Sequence, residues 1–122
     1  MQLKKKFEVV KNKYKDHPEF IGIDISNPNQ RGAVDDTLLH LVSRKGDIEG
    51  IEILIDYGAQ VNIIGDLGNT PLHQAAMMGQ INSVRALLKR GANPNIKNEF
   101  GQTAKEVAVI GGHVDIVNIF GK

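Results

Sequence analysis

The chain has 122 residues, a formal net charge of +1 and no cysteine, which excludes disulfide frameworks, thiolate metal sites and a cysteine nucleophile. The length suits one domain with a thin continuous core, and the near-neutral charge gives no general attraction to nucleic acid or to a membrane surface. No apolar run approaches the roughly 20 residues that span a bilayer, and no apolar segment follows the basic start, so we expect a cytoplasmic protein.

Residues 2–15 are predicted to form an amphipathic helix. Leu3, Phe7, Val10 and Tyr14 recur at helical spacing and fall on one face. Six lysines against one glutamate make the rest of this helix basic. We interpret it as the solvated face of a capping helix. The alternative, which stays open, is a docking site for an acidic partner or, with less support, for nucleic acid, and its binding would be sensitive to salt.

Residues 16–31 continue this N-terminal segment without repeating it. Pro18 ends the helix, and the apolar residues Phe20, Ile21, Ile23 and Ile25 form a run that something must cover. The turn sequence at 27–29, Asn-Pro-Asn, returns at 93–95. We therefore interpret residues 1–31 as a divergent helical N-terminal cap that ends as a repeat ends.

A fixed period of 33 residues organises the rest of the chain. The residues that recur in all three copies are Thr37, Thr70 and Thr103, and Gly46, Gly79 and Gly112. In each copy a threonine can cap a helix, a glycine turns the chain, and a second helix carries an apolar stripe. This pattern predicts helical hairpins in repeats of about 32–64, 65–97 and 98–122, which we expect to form one structural unit with the cap.

The first and last copies depart from the middle one. In the last copy, Thr103 and Glu106 form a Thr-x-x-Glu capping box, in which Glu106 is expected to reach back to the Thr103 N–H. Lys105 replaces leucine there, and a charged residue suits a terminal repeat with one side exposed to solvent. In the first copy Asp35 stands where the other copies have glycine, which leaves the geometry of that loop open.

The middle copy carries the most specific motif, Thr-Pro-Leu-His-Gln-Ala at residues 70–75. With the 33-residue period, this motif resembles the ankyrin-repeat family over roughly Gly32 to Phe120. The resemblance implies an all-α repeat solenoid of about three ankyrin repeats with short hairpin-like fingers. It also implies that His40 and His73 hydrogen-bond to backbone and tie neighbouring turns together, rather than bind a metal.

The resemblance further implies a binding surface, because partners of this family usually contact a concave groove of finger tips and exposed first-helix positions. The corresponding residues here are Ala33, Val34, Asp36, Arg44, Lys45, Asp66, Leu67, Asn69, Met77, Met78, Glu99, Phe100, Gln102, Ile110 and Gly111. We expect Phe100 and Met77 to be apolar anchors, with Arg44 and Lys45 steering an acidic partner. The alternative is that the finger-tip side chains bury one another along the stack.

The sequence offers no catalytic, metal or cofactor site. It has no glycine-rich phosphate loop and no nucleophile elbow, and its histidines do not form a converging ligand set. We therefore expect a monomeric, non-catalytic module that binds a protein partner. The alternative within that class is a bacterial immunity or antitoxin-type inhibitor that neutralises a cognate toxin. A fragment of a longer array is less favoured, because the first and last copies look like ends.

Overall fold

The computed structural model describes residues 2–121, and this part of the chain contains helices and no strand. The helices are α1 (Gln2–Tyr14), α2 (Leu38–Lys45), α3 (Ile48–Asp56), α4 (Pro71–Met77), α5 (Ile81–Lys89), α6 (Ala104–Ile110) and α7 (Val114–Ile119), with a short 3-10 turn at Asp66–Gly68.

The six helices after α1 pair into three hairpins, which stack side by side. The first helices α2, α4 and α6 pack against one another in sequence, and the second helices α3, α5 and α7 form a second layer behind them. The helix α1 packs on α3 at the N-terminal end of the stack. The predicted all-α repeat solenoid is therefore confirmed. We number the three hairpins, each with the loop that precedes it, as repeats one to three.

A tight five-residue loop, here called a finger, precedes each hairpin: finger 1 is 32–36, finger 2 is 65–69 and finger 3 is 98–102. In each finger the first residue donates its N–H to the carbonyl oxygen of the fifth, at N–O distances of 2.7, 2.9 and 2.9 Å. Asp35 in finger 1 has a φ of 70°, close to the 76° and 74° of Gly68 and Gly101. The aspartate thus keeps the loop geometry that the sequence left open, in a region of backbone conformation that aspartate tolerates better than most residues.

Two buried histidines join each repeat to the finger of the next one. The Nε2 of His40 lies 2.9 Å from the carbonyl oxygen of Asn69, and the Nε2 of His73 lies 2.8 Å from that of Gln102. Each Nδ1 accepts the backbone N–H of the capping threonine, Thr37 or Thr70, at 3.1 Å. Because Nδ1 accepts, Nε2 carries the hydrogen and donates it. The structural role expected for these histidines is confirmed.

Asparagines make a second ladder through the loops that precede the fingers. The Oδ1 of Asn29 accepts the backbone N–H of Gln60 at 2.8 Å, and the Oδ1 of Asn62 accepts that of Asn93 at the same distance. These two bonds are identical contacts one period apart. The N-terminal segment therefore ends as a repeat ends, as its Asn-Pro-Asn turn predicted.

The N-terminal segment shares the core of the stack. Phe7, Val10 and Tyr14 on α1 are buried, and the ring of Phe7 stacks on that of Tyr57 with centroids 4.4 Å apart. Of the apolar run that follows, Phe20 and Ile25 are buried, whereas Ile21 is exposed. The expectation that the whole run is covered is thus wrong for Ile21.

Repeat three begins with the capping box that its sequence predicts. The Thr103 N–H donates to Oε1 of Glu106 at 2.9 Å, and the Glu106 N–H donates to Oγ1 of Thr103 at 3.3 Å. The hydrogen bonds from Thr103 hold the pKa of the Glu106 carboxyl below its usual value. Glu106 therefore accepts the N–H of the capping threonine at the start of α6, as the histidine does in repeats one and two.

We expect Phe7→Ala to lower the free energy of unfolding by about 3–5 kcal/mol while one cooperative transition is retained, because the ring is buried in the common core. Val9→Ala on the same helix is the matched control, since Val9 is 64% exposed, and it should change stability by less than about 0.5 kcal/mol. Chemical denaturation followed by circular dichroism measures both. Loss of α1 alone, in a separate early transition, would contradict the single structural unit.

We expect stability to fall as the pH drops below about 6.5, the ordinary pKa of histidine. Burial lowers the pKa of His73 in the fold, and that of His40 as well, so the unfolded chain binds these protons first. Each histidine then lowers the free energy of unfolding by at most about 1.4 kcal/mol per pH unit. His73→Ala should cost about 1–3 kcal/mol at pH 7.5 through the lost hydrogen bonds, and it should make the pH dependence shallower. Denaturation curves at pH 7.5, 6.5 and 5.5 test this, and an unchanged pH dependence in the variant would refute it.

Candidate protein-interaction surface

Two columns of exposed apolar side chains run along the stack. The first is at the finger tips and consists of Val34, Leu67 and Phe100, and the second is at the ends of α4 and α6 and consists of Met77, Met78 and Ile110. The Phe100 side chain is 65% exposed, the most of the three tips. The alternative in which tip residues bury one another does not match this exposure.

The helix α4 separates finger 2 from Met77. It has seven residues, so it rises on the order of 10 Å over this length. An α-helix with its side chains has a diameter of about 10–12 Å, so the rise of α4 is comparable to the width of one helix.

Leu67, whose apolar side chain lies at the tip of finger 2, has an unfavourable backbone conformation. Its φ is 58°, in the left-handed region that costs a residue with a Cβ roughly 1–2 kcal/mol. Finger 3 supports this conformation, because the Glu99 N–H donates to the Leu67 carbonyl oxygen at 3.0 Å. Backbone strain of this kind, held in place by neighbours, is frequent at binding sites.

Two of the polar residues expected on this surface lie in the interior instead. Asp36 is only 2% exposed, and its Oδ1 accepts the N–H of Asp66 at 2.9 Å. Asn69 is 3% exposed, and its Oδ1 accepts from the side chain of Asn98 at 3.0 Å. Both side chains join neighbouring fingers, so neither is placed to contact a partner. Gln102 is half-buried, and its Oε1 accepts from Asn98 at 3.1 Å.

Of the two expected steering cations, Arg44 is paired within the fold, whereas Lys45 is exposed. The guanidinium of Arg44 makes ion pairs with Asp36, at 3.0 Å, and with Glu19 of the N-terminal segment. Lys45 is exposed, but it lines an open depression of about 840 Å³ together with Lys13 and Asp47, at the N-terminal end of the stack. The expectation that Arg44 attracts an acidic partner is therefore wrong, since two carboxylates already neutralise its charge.

The remaining residues expected on the surface are exposed at the fingers and at the end of α6. They are Ala33, Asp66, Glu99 and Gly111. Asp66 and Glu99 each precede an apolar tip residue, Leu67 or Phe100. The structure thus brings apolar side chains and carboxylates together in repeats two and three.

The interpretation of the sequence did not include one polar position, which recurs as Asp47, Gln80 and His113. The side chain of Gln80 donates to the carbonyl oxygen of Arg44 at 3.0 Å, and Nε2 of His113 lies 3.0 Å from that of Met77. At the same position in repeat one, Asp47 accepts from the Tyr14 hydroxyl at 2.6 Å. The side chain is thus a donor where the preceding unit offers a carbonyl oxygen, and an acceptor where it offers a hydroxyl. The 33-residue alignment of these three residues was the signal available in the sequence.

No group of three or more histidine, cysteine, aspartate or glutamate side chains within residues 2–121 is placed to hold a metal ion. Over the same residues, no helix combines the length and the apolar character needed to cross a bilayer.

Comparison with known proteins agrees with the repeat architecture. A family model described as ankyrin repeats in three copies matches residues 6–98, which is more than half of the chain. The match begins within α1 and ends at the start of finger 3, so it includes most of the segment interpreted as a divergent cap. No curated protein matches the sequence. Ankyrin repeats generally mediate protein–protein interaction and are typically not enzymes. The chain belongs to the ankyrin-repeat family.

Proposed function

We propose that this protein is a non-catalytic module that holds a partner protein between its finger tips and the ends of its first helices. The observation that carries this proposal is the pair of exposed apolar columns, above all Leu67, Phe100, Met77 and Ile110. Contiguous exposed apolar side chains on a folded domain are typical of interaction sites. Methionine adds adaptability, because its unbranched thioether side chain adjusts to the shape of a partner.

The open part of this surface lies in repeats two and three. In repeat one, Arg44 occupies the position of Met77, and its ion pair with Glu19 fills the space beside finger 1. The Glu19 carbonyl oxygen also accepts the N–H of Ala33 at 2.7 Å, which brings the N-terminal segment onto that finger. A partner is therefore expected to seat on repeats two and three.

The basic face of α1 supports a nucleic-acid partner less well. Lys11 pairs with Glu8 at 3.2 Å and Lys13 with Asp47 at 3.1 Å, so two of its five lysines are already engaged. Its apolar face is buried in the core. An inhibitor that neutralises a toxin would use the same surface as any other protein-binding module, so the identity of the captured partner decides between them.

The test is affinity capture from the native cell, followed by titration of the captured protein. The double variant Phe100→Ser and Met77→Ser should weaken binding at least 30-fold, because central apolar anchors typically contribute about 2 kcal/mol or more. The matched control is the double variant Val9→Ser and Val114→Ser, which removes exposed apolar side chains elsewhere and should change the affinity less than about threefold.

Circular dichroism must show that all variants keep the helical signal and a similar melting temperature. If the Phe100 and Met77 variant unfolds, those side chains are core residues and the proposal is wrong. Equal binding by this variant and by the wild type would also refute it, as would loss of binding in the control.

A further inference from the structure

We propose that the occupant of the groove in repeats two and three is a cationic amphipathic helix, with lysine or arginine beside its apolar face. This inference rests on the proposed function and specifies the chemistry of the partner. It reverses the expectation of an acidic partner that the sequence suggested.

The unpaired charges at the finger tips are negative. Asp66 and Glu99 are exposed, and within residues 2–121 neither carboxylate has an ion-pair partner. Asp35 on finger 1 is also exposed, and its carboxylate lies 3.8 Å from Nε of Arg31, whose guanidinium donates to the Asp35 carbonyl oxygen at 2.8 Å. The accessible charges at the tips are thus carboxylates, which favour a partner of opposite charge.

These carboxylates lie close to the apolar tip of finger 2. A Cβ placed on Gly68 would lie 3.1 Å from Cγ of Glu99, so the Glu99 side chain runs along the tip of finger 2. Asp66 precedes Leu67 on the same finger. Both carboxylates therefore flank Leu67, and a partner that buries Leu67 brings its own side chains beside them.

Within residues 2–121, no cation forms an ion pair with the carboxylates of fingers 2 and 3. Arg44 is paired with Glu19 and Asp36. Lys97 lies near Glu106, whose pKa is lowered by hydrogen bonds from Thr103 and by this lysine. The Nζ of Lys105 donates to the carbonyl oxygen of Gly121 at 2.8 Å. None of these cations neutralises the carboxylates of fingers 2 and 3.

The length of α4 favours a helix as the occupant. This helix rises on the order of 10 Å from finger 2 to Met77, which is comparable to the diameter of one helix. An extended strand is a poorer fit, because finger 3 already donates the Glu99 N–H to finger 2, and the Glu99 and Leu67 backbone groups are used. An amphipathic helix can contact Leu67 and Phe100 on one side and Met77 on the other.

The probe is a fluorescent 18-residue helical peptide of leucine and lysine, and its counterpart of leucine and glutamate, measured by anisotropy. The leucine–lysine peptide should bind at least tenfold more tightly than its counterpart. The double variant Asp66→Lys and Glu99→Lys should weaken its binding at least tenfold and should reverse the preference.

The matched control is Glu49→Lys and Asp115→Lys, which makes the same change in net charge at exposed positions on α3 and α7. It should weaken binding less than threefold, which separates a local effect from general attraction to the chain. If the two double variants have equal effects, the inference is overturned. A preference for the leucine–glutamate peptide overturns it as well.

These outcomes separate the inference from the proposed function. If capture of the native partner needs Phe100 and Met77 but is unaffected by Asp66→Lys and Glu99→Lys, the groove binds a protein and only the cationic chemistry is wrong. If neither the peptide nor the native partner needs Phe100 and Met77, both proposals fail. Self-association of the wild type in sedimentation, abolished by Asp66→Lys and Glu99→Lys, would assign the groove to a second copy of the chain and overturn the inference.

Discussion

The structure depends on buried hydrogen bonds that each repeat makes to the finger of the next. His40 and His73 donate to finger carbonyls in a water-poor interface, where an unsatisfied backbone group would cost about 1–3 kcal/mol. These bonds fix each finger against the preceding repeat, and the asparagine ladder joins the loops that precede the fingers. Because the backbone is held this way, a tip residue such as Leu67 can keep a strained conformation and an exposed apolar side chain at the same time. The candidate surface is therefore preorganised by the same bonds that build the stack.

Much of this architecture could be predicted from the sequence, because it repeats and is local. The 33-residue period sets the hairpins, and the threonines at their starts place the N-termini of α2, α4 and α6. The capping box of Thr103 and Glu106 involves residues three apart, and the Asn-Pro-Asn turn at 27–29 lies in register with its copy at 93–95. Such features depend on short-range chemistry, which a pattern of residues can report. The exposed apolar tips followed from the same register.

The parts that the sequence did not predict depend on contacts between distant segments. Arg44 looked like a free cation, but Glu19 reaches it from the N-terminal segment, which has no repeat pattern to align. Asp36 and Asn69 occupy finger positions that can be exposed, and only the packing of one finger on the next shows that their side chains face inward. These errors changed the expected charge of the groove without changing the fold.

The central claim is that a partner seats on the finger side of repeats two and three. Hydrogen–deuterium exchange of the complex with the captured partner tests it most directly, because it reports which backbone amides become protected without any mutation. The account predicts added protection in residues 65–78 and 98–111, with α3 and α5 unchanged. Protection confined to the second helices or to the lysine-bearing face of α1 would contradict it.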